Sequence, residues 1–593
     1  MPAAPSPPER NHGARSAFND EGFEAIIDQL EAEIQRLYLD DETPWIIGYS
    51  GGKDSTAVLQ LVWSAISKLP GDQLQKKIHV ISTDTLVENP VVSSWVAKSL
   101  KQMEKVAEED DLPFRPHRLV PNVEDRFWVN LIGKGYPAPR HKFRWCTERL
   151  KITPSNGFIL DVVKQNGEAI LLLGARSQES AARAKVLKKN AKYRVRDRLS
   201  PSSSLPGCLI YTPVEVWSND DVWFYLMQKP NPWGYNNRDL LGMYAGASAD
   251  GECPLVVDDS TPSCGDSRFG CWVCTLVEKD KSMTAMVQND TELEWMQPLL
   301  ELRNLIDFRE DGTAKNAATG ETHEVHTKRE AFQSPVGEAL GKLLTKMSGR
   351  PIEELVRDRD WEKYLRDFRR LNSGNVQINI PKRKTDRKDD NNKPIMEPDL
   401  SVPLDEWRYI PGPYIQQARE CWLRALLTAQ TAVRELGPDA VSDLELITLE
   451  ELEEVRRIWV VEKHEIEDRL PVIFEDVTGE PYPGKSLDDN LVMGDEEMEE
   501  LSSICDRKDL HYQLTRDLLG LTIQNRNSAR RAGIYEAIEK TIQRSFYDSR
   551  DQAIEWNRKR AFSKLTHGEN PKEGEAFNEL PEVAEQNELD FDQ

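Results

Sequence analysis

Two groups of residues in this 593-residue chain have the types and spacing for chemistry. The first is Ser50-Gly51-Gly52-Lys53-Asp54-Ser55, set directly after the apolar run Trp45 to Tyr49 and opening a helical stretch. Two glycines let the backbone turn tightly and bring amide donors against an anion with no side chain in the way. A helix start adds unpaired N–H groups and the positive end of its dipole, which favours phosphate. Ser50 and Ser55 add hydroxyl donors, and Lys53 adds charge. This is not a Walker A loop, because Asp54 follows Lys53 where that motif needs Ser or Thr, and Ile47 stands where it needs Gly. The plain alternative is an ordinary Gly-Gly turn between strand and helix.

The second group is cysteine. Cys271-Trp-Val-Cys274 is a C-x-x-C pair, Cys264 shortly precedes it, and Cys146 lies far upstream within Lys142-Phe-Arg-Trp-Cys146-Thr-Glu-Arg149-Leu-Lys151. With Cys253, five of the eight cysteines fall in or near these motifs, which in a reducing compartment reads as metal binding or redox chemistry before disulfides. Spacing alone leaves zinc, an iron–sulfur cluster and a redox disulfide open. Cys208, Cys421 and Cys505 read as buried thiols.

The elements that must position these groups alternate. An amphipathic helix over Phe23 to Leu39 leads to a strand at Trp45 to Tyr49 and a helix over Ser55 to Leu69. A strand at Ile78 to Ser82, a helix over Val91 to Glu108 and a short strand near His117 to Val120 follow. A further helix precedes strands at Ala169 to Leu173 and Leu209 to Val214. Short apolar strands separated by helices predict an α/β fold, a mostly parallel sheet with helices on both faces. Beyond about Asp290 the strands give way to charged helical text over Leu299 to Phe308, Ile352 to Leu371, Ile415 to Leu436, Leu449 to Leu470 and Gly533 to Ala561. The expected organisation is a disordered N-terminus over 1–19, an α/β domain with the cysteines over 20–290, a large α-helical C-terminal region over 291–565 serving partners or substrate, and an acidic disordered tail over 566–593.

The phosphate loop resembles that of the ATP pyrophosphatases with an SGGxDS loop, in the branch related to phosphoadenylylsulfate reductases. The resemblance implies an adenine nucleotide alpha hydrolase-like fold, and cleavage of ATP between its α and β phosphates with Mg bridging them. Ser82-Thr83-Asp84-Thr85 looks like that family's adenosine edge, and Gly174-Ala-Arg176-Ser-Gln-Glu179-Ser180-Ala-Ala-Arg183 is similar to its GxRxxES segment. Ser50, Gly51, Gly52, Lys53, Asp54, Ser55, Thr83, Asp84 and Gly174 would then bind the nucleotide. Lys53, Asp54, Arg176 and Arg183 would carry catalysis, the guanidinium fork suiting phosphate. A solvated basic helix start accounts equally well for each arginine taken singly. The same resemblance implies a 4Fe-4S cluster on Cys146, Cys264, Cys271 and Cys274, with Cys253 a rival for one place and structural zinc the plainer alternative. Two departures count against a sulfonucleotide reductase: Trp145 stands where assimilatory members have an adjacent cysteine, and no Glu-Cys-Gly segment lies near residue 593.

The Arg144-Trp-Cys-Thr-Glu-Arg-Leu-Lys151 segment, the run Tyr211 to Trp223, the cysteine group and the long helical half together resemble the DNA phosphorothioation sulfurtransferases of the DndC family over about residues 45 to 280. What this implies is ATP-driven replacement of a non-bridging oxygen in the DNA backbone by sulfur. The partners implied are double-stranded DNA, a cysteine desulfurase as sulfur donor and other proteins of the phosphorothioation system. A tRNA thiolase, a small-molecule sulfonucleotide enzyme and a non-catalytic ATP-binding scaffold are the competing readings.

Charge bounds the partner question. A net charge of -24 disfavours nonspecific adherence to nucleic acid by the whole surface. A local patch remains, because residues 176–198 hold nine Lys and Arg against two acids, which reads either as a backbone footprint or as a solvated loop. Trp217 and Trp223 read as core rather than as a base-stacking platform. No apolar run is long enough to span a bilayer and residues 1–19 lack the apolar segment of a secretory signal, so no membrane association and a cytoplasmic location are expected.

Overall fold

The computed structural model describes residues 16–140, 143–247, 270–277 and 279–306. Beyond these it describes 413–484, 493–505, 509–525, 532–547 and 549–567, with shorter stretches at 313–315, 322–324, 377–388, 394–407 and 409–410 and isolated residues between 341 and 354. The expected ligands Cys253 and Cys264, most of the helix expected over Ile352 to Leu371, and the acidic tail lie outside the described residues.

Six strands form one sheet in the order β3-β2-β1-β4-β6-β5: β1 Trp45–Gly48, β2 Ile78–Thr83, β3 Phe114–Leu119, β4 Ala169–Leu172, β5 Ser200–Pro201 and β6 Cys208–Tyr211. All neighbours pair in parallel except β5, which runs antiparallel to β6 at the edge. The pleat sorts the apolar run of each strand between two cores. Trp45, Ile47, Ile170 and Leu172 pack on the face covered by α1 (Phe23–Leu39) and α2 (Lys53–Ile66). Ile46, Ala169 and Leu171 pack on the opposite face against Ile159 and Val162 of α4 (Thr153–Asn166). Two-sided burial is why these strands read as unbroken apolar runs. α3 (Pro90–Glu109) connects β2 to β3, and the chain then returns to the other side of β1 to form β4. This reversal beside β1 opens a crevice at the carboxyl ends of β1 and β4, the place where open α/β sheets take ligands.

The helical half shares a core with this domain. Trp128, Val129 and Ile132 pack with Trp272, Met283 and Leu299 and with Leu423, Leu426, Val455 and Trp459 in one continuous cluster, which crosses position 290. Trp459 Nε1 donates to the Ile132 carbonyl at 2.9 Å, the Tyr414 amide to Gly135 at 2.7 Å, and Arg126 to Thr448 Oγ1 at 3.1 Å.

Three sequence expectations for this half are corrected. Short antiparallel pairs occur where only helices and loops were expected, Lys382–Lys388 with Pro394–Pro398 and Gln377–Ile378 with Tyr409–Ile410. The helix expected over Leu449 to Leu470 ends in a π turn, Ile458–Glu462, and restarts as Arg469–Thr478. The chain turns through His464 and Asp468 at φ 57° and 44°, held by ion pairs of Glu465 with Arg419 and of Asp468 with Arg456, contacts that local propensity does not encode. The helix expected over Gly533 to Ala561 is two, Ala532–Ser545 and Arg550–His567.

Candidate functional site

The phosphate loop joins β1 to α2 as its sequence predicts. Gly51 sits at φ 73°, a left-handed conformation that a side chain resists, and a Cβ there would strike Val96 at 2.4 Å. Gly52 is the N-cap of α2 and has no side chain to cap it, which leaves the amides of the first turn to partners outside the helix. Inside the loop Ser50 Oγ and Ser55 Oγ lie 3.1 Å apart, and Ser55 Oγ donates to the Gly52 carbonyl at 3.0 Å.

A cleft of about 1120 Å³ opens over this loop. Its walls bring together every described residue expected to bind nucleotide or catalyse: Ser50 to Ser55, Thr83, Asp84, Gly174, Arg176 and Arg183. Gly174 is required by close approach. A Cβ there would stand 2.8 Å from the Asp54 carbonyl oxygen, so the end of β4 touches the first turn of α2 backbone to backbone. Arg176, buried, donates from Nε to Asp54 Oδ1 at 2.6 Å and from Nη1 to the Trp217 carbonyl at 3.3 Å. It therefore braces Asp54 in this structure as well as lining the cleft. Lys53 Nζ lies 3.4 Å from Asp54 Oδ2, which leaves its ammonium over the loop. Arg183, half exposed at the cleft mouth, pairs with Glu179 at 3.5 Å. Thr83 Oγ1 bonds Ser155 Oγ of α4 at 2.8 Å.

Sequence reasoning missed several wall residues. Arg118, from the end of β3, donates from Nε to Asp84 Oδ2 at 2.9 Å. Tyr244, from the helix Asn237–Gly246, places its hydroxyl 3.4 Å from the Lys53 amide and its ring 5.4 Å from the Lys53 ammonium. Glu88 and Lys151, 3.2 Å apart, form the wall toward the cysteines. Only a parallel strand order could have signalled Arg118, and no local motif marks Tyr244.

The cysteines adjoin that wall. Cys271 bridges Glu88 backbone to backbone, and its Sγ lies 3.4 Å from Thr85 Oγ1 and 3.8 Å from Glu88 Oε1. Burial pushes the Cys271 thiol up to about 12, with Glu88 adding to the rise and Lys151 opposing it. Burial also raises the Cys146 thiol, and Cys274 stands near enough to contribute. Lys151 is held protonated above its usual range, first by charge on Cys271 and then by Glu88, against the cost of burial. Lys151 enters the cleft from the π turn Thr147–Ile152 that follows Cys146, while Arg149 of the same turn faces away to Asp125 and Asn130 at 2.9 and 3.0 Å.

Among the described residues no three His, Cys, Asp or Glu side chains are already arranged to ligate one metal ion. The donor chemistry nevertheless fits a thiolate-held cluster. Cys274 stands near both Cys146 and Cys271, and Lys151, near Cys271 and Cys146, offsets the negative charge such a centre carries. Trp217 and Trp223 are buried at 1% and 0% exposure, which makes them core and not a stacking surface. Among the described residues no helix is long and apolar enough to cross a membrane.

Residues 44–233 match the phosphoadenosine phosphosulfate reductase domain family. An uncharacterized protein of Methanocaldococcus jannaschii is 25% identical over 214 residues, 35% of this chain and 38% of that protein. The chain thus matches well under half the length of this curated relative. Among solved structures, the phosphoadenylyl-sulfate reductase of Candida auris in its phosphate complex is 16% identical, covering 39% of this chain and 95% of that one, with a TM-score of 0.22. The U34-tRNA thiolase NcsA of Methanococcus maripaludis with its 4Fe-4S cluster is 14% identical, covering 52% and 89%, with a TM-score of 0.24. The FMN adenylyltransferase of Candida glabrata in complex with FAD and pyrophosphate is 11% identical, covering 40% and 69%, with a TM-score of 0.23.

Proposed function

We propose that the chain is an ATP-pyrophosphatase-type sulfurtransferase of DNA phosphorothioation. In this reading it splits ATP to AMP and pyrophosphate to activate a DNA backbone phosphate, then replaces a non-bridging oxygen by sulfur. The observation that carries the reading is the shared wall: Glu88 and Lys151 line the nucleotide cleft and also stand against Cys271. In this reading nucleotide activation and sulfur chemistry are set on the two sides of the Glu88–Lys151 pair.

The loop amides of α2 and the hydroxyls of Ser50 and Ser55 hold the β and γ phosphates of Mg-ATP. Lys53, fixed by Asp54, offsets the charge that grows on departing pyrophosphate, where a positioned cation lowers the barrier most. Arg176 keeps Asp54 in place, and Arg183 meets the incoming phosphate at the mouth. A non-bridging oxygen of the DNA phosphodiester attacks the α phosphorus of ATP, forming a P–O bond as the bond to pyrophosphate breaks. A cysteine desulfurase supplies sulfur as a persulfide, which a dithiol reductant cleaves to hydrosulfide while it is oxidised to a disulfide. The hydrosulfide then attacks the DNA phosphorus, and the bond from that phosphorus to the oxygen shared with AMP breaks, releasing AMP and one proton. Cys146, Cys271 and Cys274, with Cys264 or Cys253, would hold a 4Fe-4S cluster that presents this sulfur.

The test is product analysis with anaerobically purified protein, Mg-ATP and a desulfurase, with and without duplex DNA, comparing wild type with Asp54→Ala and Cys271→Ser. AMP, pyrophosphate and a phosphorothioate linkage in the DNA are expected from wild type. Asp54→Ala should lose all three, and Cys271→Ser should lose the phosphorothioate. ADP and phosphate, or ATP binding without cleavage, would overturn the reaction. Stimulation by tRNA or by a small sulfonucleotide in place of DNA would overturn the substrate.

A further inference from the structure

We propose that α5 (Ala181–Ala191) is the surface on which duplex DNA docks, its lysine stripe carrying one strand's phosphates to the cleft mouth at Arg183. The proposal rests on the reading that DNA is the substrate and assigns the residues that would receive it.

Tertiary structure sorts the nine cations of residues 176–198 into two sets. Each of the five arginines is held by acids: Arg176 by Asp54, Arg183 by Glu179, Arg194 by Glu215, Arg196 by Asp41 and Glu168, and Arg198 by Glu33. The pairs of Arg176, Arg194, Arg196 and Arg198 fasten the segment to the rest of the domain, while that of Arg183 is internal to it. Lys185, Lys188, Lys189 and Lys192 are exposed and make no ion pair among the described residues. Their positions are i, i+3, i+4 and i+7, so they share one face of α5. The stripe extends about 10 Å along the helix axis, long enough to meet successive phosphates.

The bland account is that lysines solubilise a helix and that cations suit its last turn, where Lys188 and Lys189 lie. It does not cover Lys185, nor the apolar groups on and after the same helix. Val186 is 54% exposed, and Tyr193 and Val195 are 61% and 64% exposed in the turn that follows. A tyrosine at the end of a cationic stripe fits the sugar edges of a backbone, where a purely solvated face has no use for it.

Charge balance points the same way. A chain of net charge -24 repels a polyanion at long range, but at physiological salt that field is screened beyond about 8 Å. Contact is then decided by the charges within reach, and here four unneutralised cations lead to the cleft. The geometry is directional as well, since Gln178 and Glu179 in the turn just before α5 and Arg183 in its first turn line the cleft itself.

The experiment is binding of a short fluorescent duplex to the full chain as salt is raised from about 50 to 200 mM, with each neutralised phosphate adding about 0.9 to the log–log slope. Wild type is compared with a variant carrying Lys185→Glu, Lys188→Glu, Lys189→Glu and Lys192→Glu, and with the Gln series, which removes charge and leaves the helix intact. The expected result is a roughly tenfold or greater loss of duplex affinity in both variants, with the slope falling by about three to four units. Unstimulated cleavage of ATP to AMP and pyrophosphate should be unchanged. Wild-type affinity and slope in either variant would overturn the assignment, as would a wild-type preference for tRNA over duplex. Absence of ATP cleavage in wild type would instead remove the proposed reaction and leave the binding measurement to judge α5 by itself.

Discussion

Arg176 Nε donates to Asp54 Oδ1 across 2.6 Å and joins the segment after β4 to the first turn of α2. The arginine is buried while the carboxylate is partly open to the cleft, so the contact holds the phosphate loop from behind. Truncating Arg176 to Ala leaves the Trp217 carbonyl and Asp54 without that partner and should lower stability by roughly 1.5–3 kcal/mol. Arg176→Lys supplies charge but not the fork, and should still lose most AMP formation. Denaturant unfolding together with pyrophosphate release checks both, and a fully active Arg176→Lys would show that charge alone suffices.

Gly174→Ala should abolish nucleotide binding, because the added carbon meets the Asp54 carbonyl at 2.8 Å and must push the strand end away from the loop. Gly157→Ala is the matched control. It lies inside α4 with nothing within 4 Å of its Cβ position, and should stabilise the chain by about 0.5–1 kcal/mol. Calorimetric titration with a non-hydrolysable ATP analogue reads the first and thermal unfolding the second.

Tyr244 separates two contributions to the loop. Tyr244→Phe removes the hydroxyl near the Lys53 amide but keeps the ring beneath the Lys53 ammonium, so kcat/KM should change by no more than about fivefold. Tyr244→Ala also removes the ring and its edge-to-face contact with Trp223, and should cost about tenfold or more. Equal losses in the two variants would contradict this division.

Trp459 ties the helical half to the α/β domain. Its buried ring and its bond to Ile132 make Trp459→Ala worth about 3–5 kcal/mol. Because the core is continuous, the variant should unfold in one transition that carries the ATP site with it. A second transition at the wild-type temperature, protected by ATP, would show that the domain stands apart.

His79 makes stability fall in acid. Its Nδ1 lies 2.9 Å from His117 Nε2 on the neighbouring strand, and burial, reinforced by His117, lowers its pKa to about 4. Between about 4 and the unfolded value near 6.5 the unfolded chain binds the extra proton, so stability is full above 6.5 and declines as pH drops toward 4. His79→Gln should flatten that decline by on the order of 2 kcal/mol, measured as unfolding free energy between pH 7 and 4.5.

The α/β half was legible because its signals are local. Strand, glycine turn and helix follow one another within Trp45 to Ile66, and two-sided burial leaves continuous apolar runs that any sheet order would share. The two-residue edge strand β5 escaped because it is too short to show a period. The break at His464 to Asp468 escaped because it is held by ion pairs beyond the turn itself, Glu465 with Arg419 of a helix distant in sequence and Asp468 with Arg456 of the preceding helix.

The sequence by itself determined the phosphate loop, the alternation of elements and the residues with the chemistry to bind phosphate or soft metals, since backbone turns and side-chain types are properties of short segments. Only the tertiary structure decided that Gly174 and Arg176 meet the loop, that Arg118 and Tyr244 complete the cleft, and that Cys271 stands beside Lys151 and Glu88 on its wall. It also decided which cations near α5 are neutralised and which are not. These are contacts between residues far apart in the chain, set by strand order and by how the helical half packs, and no segment carries them alone.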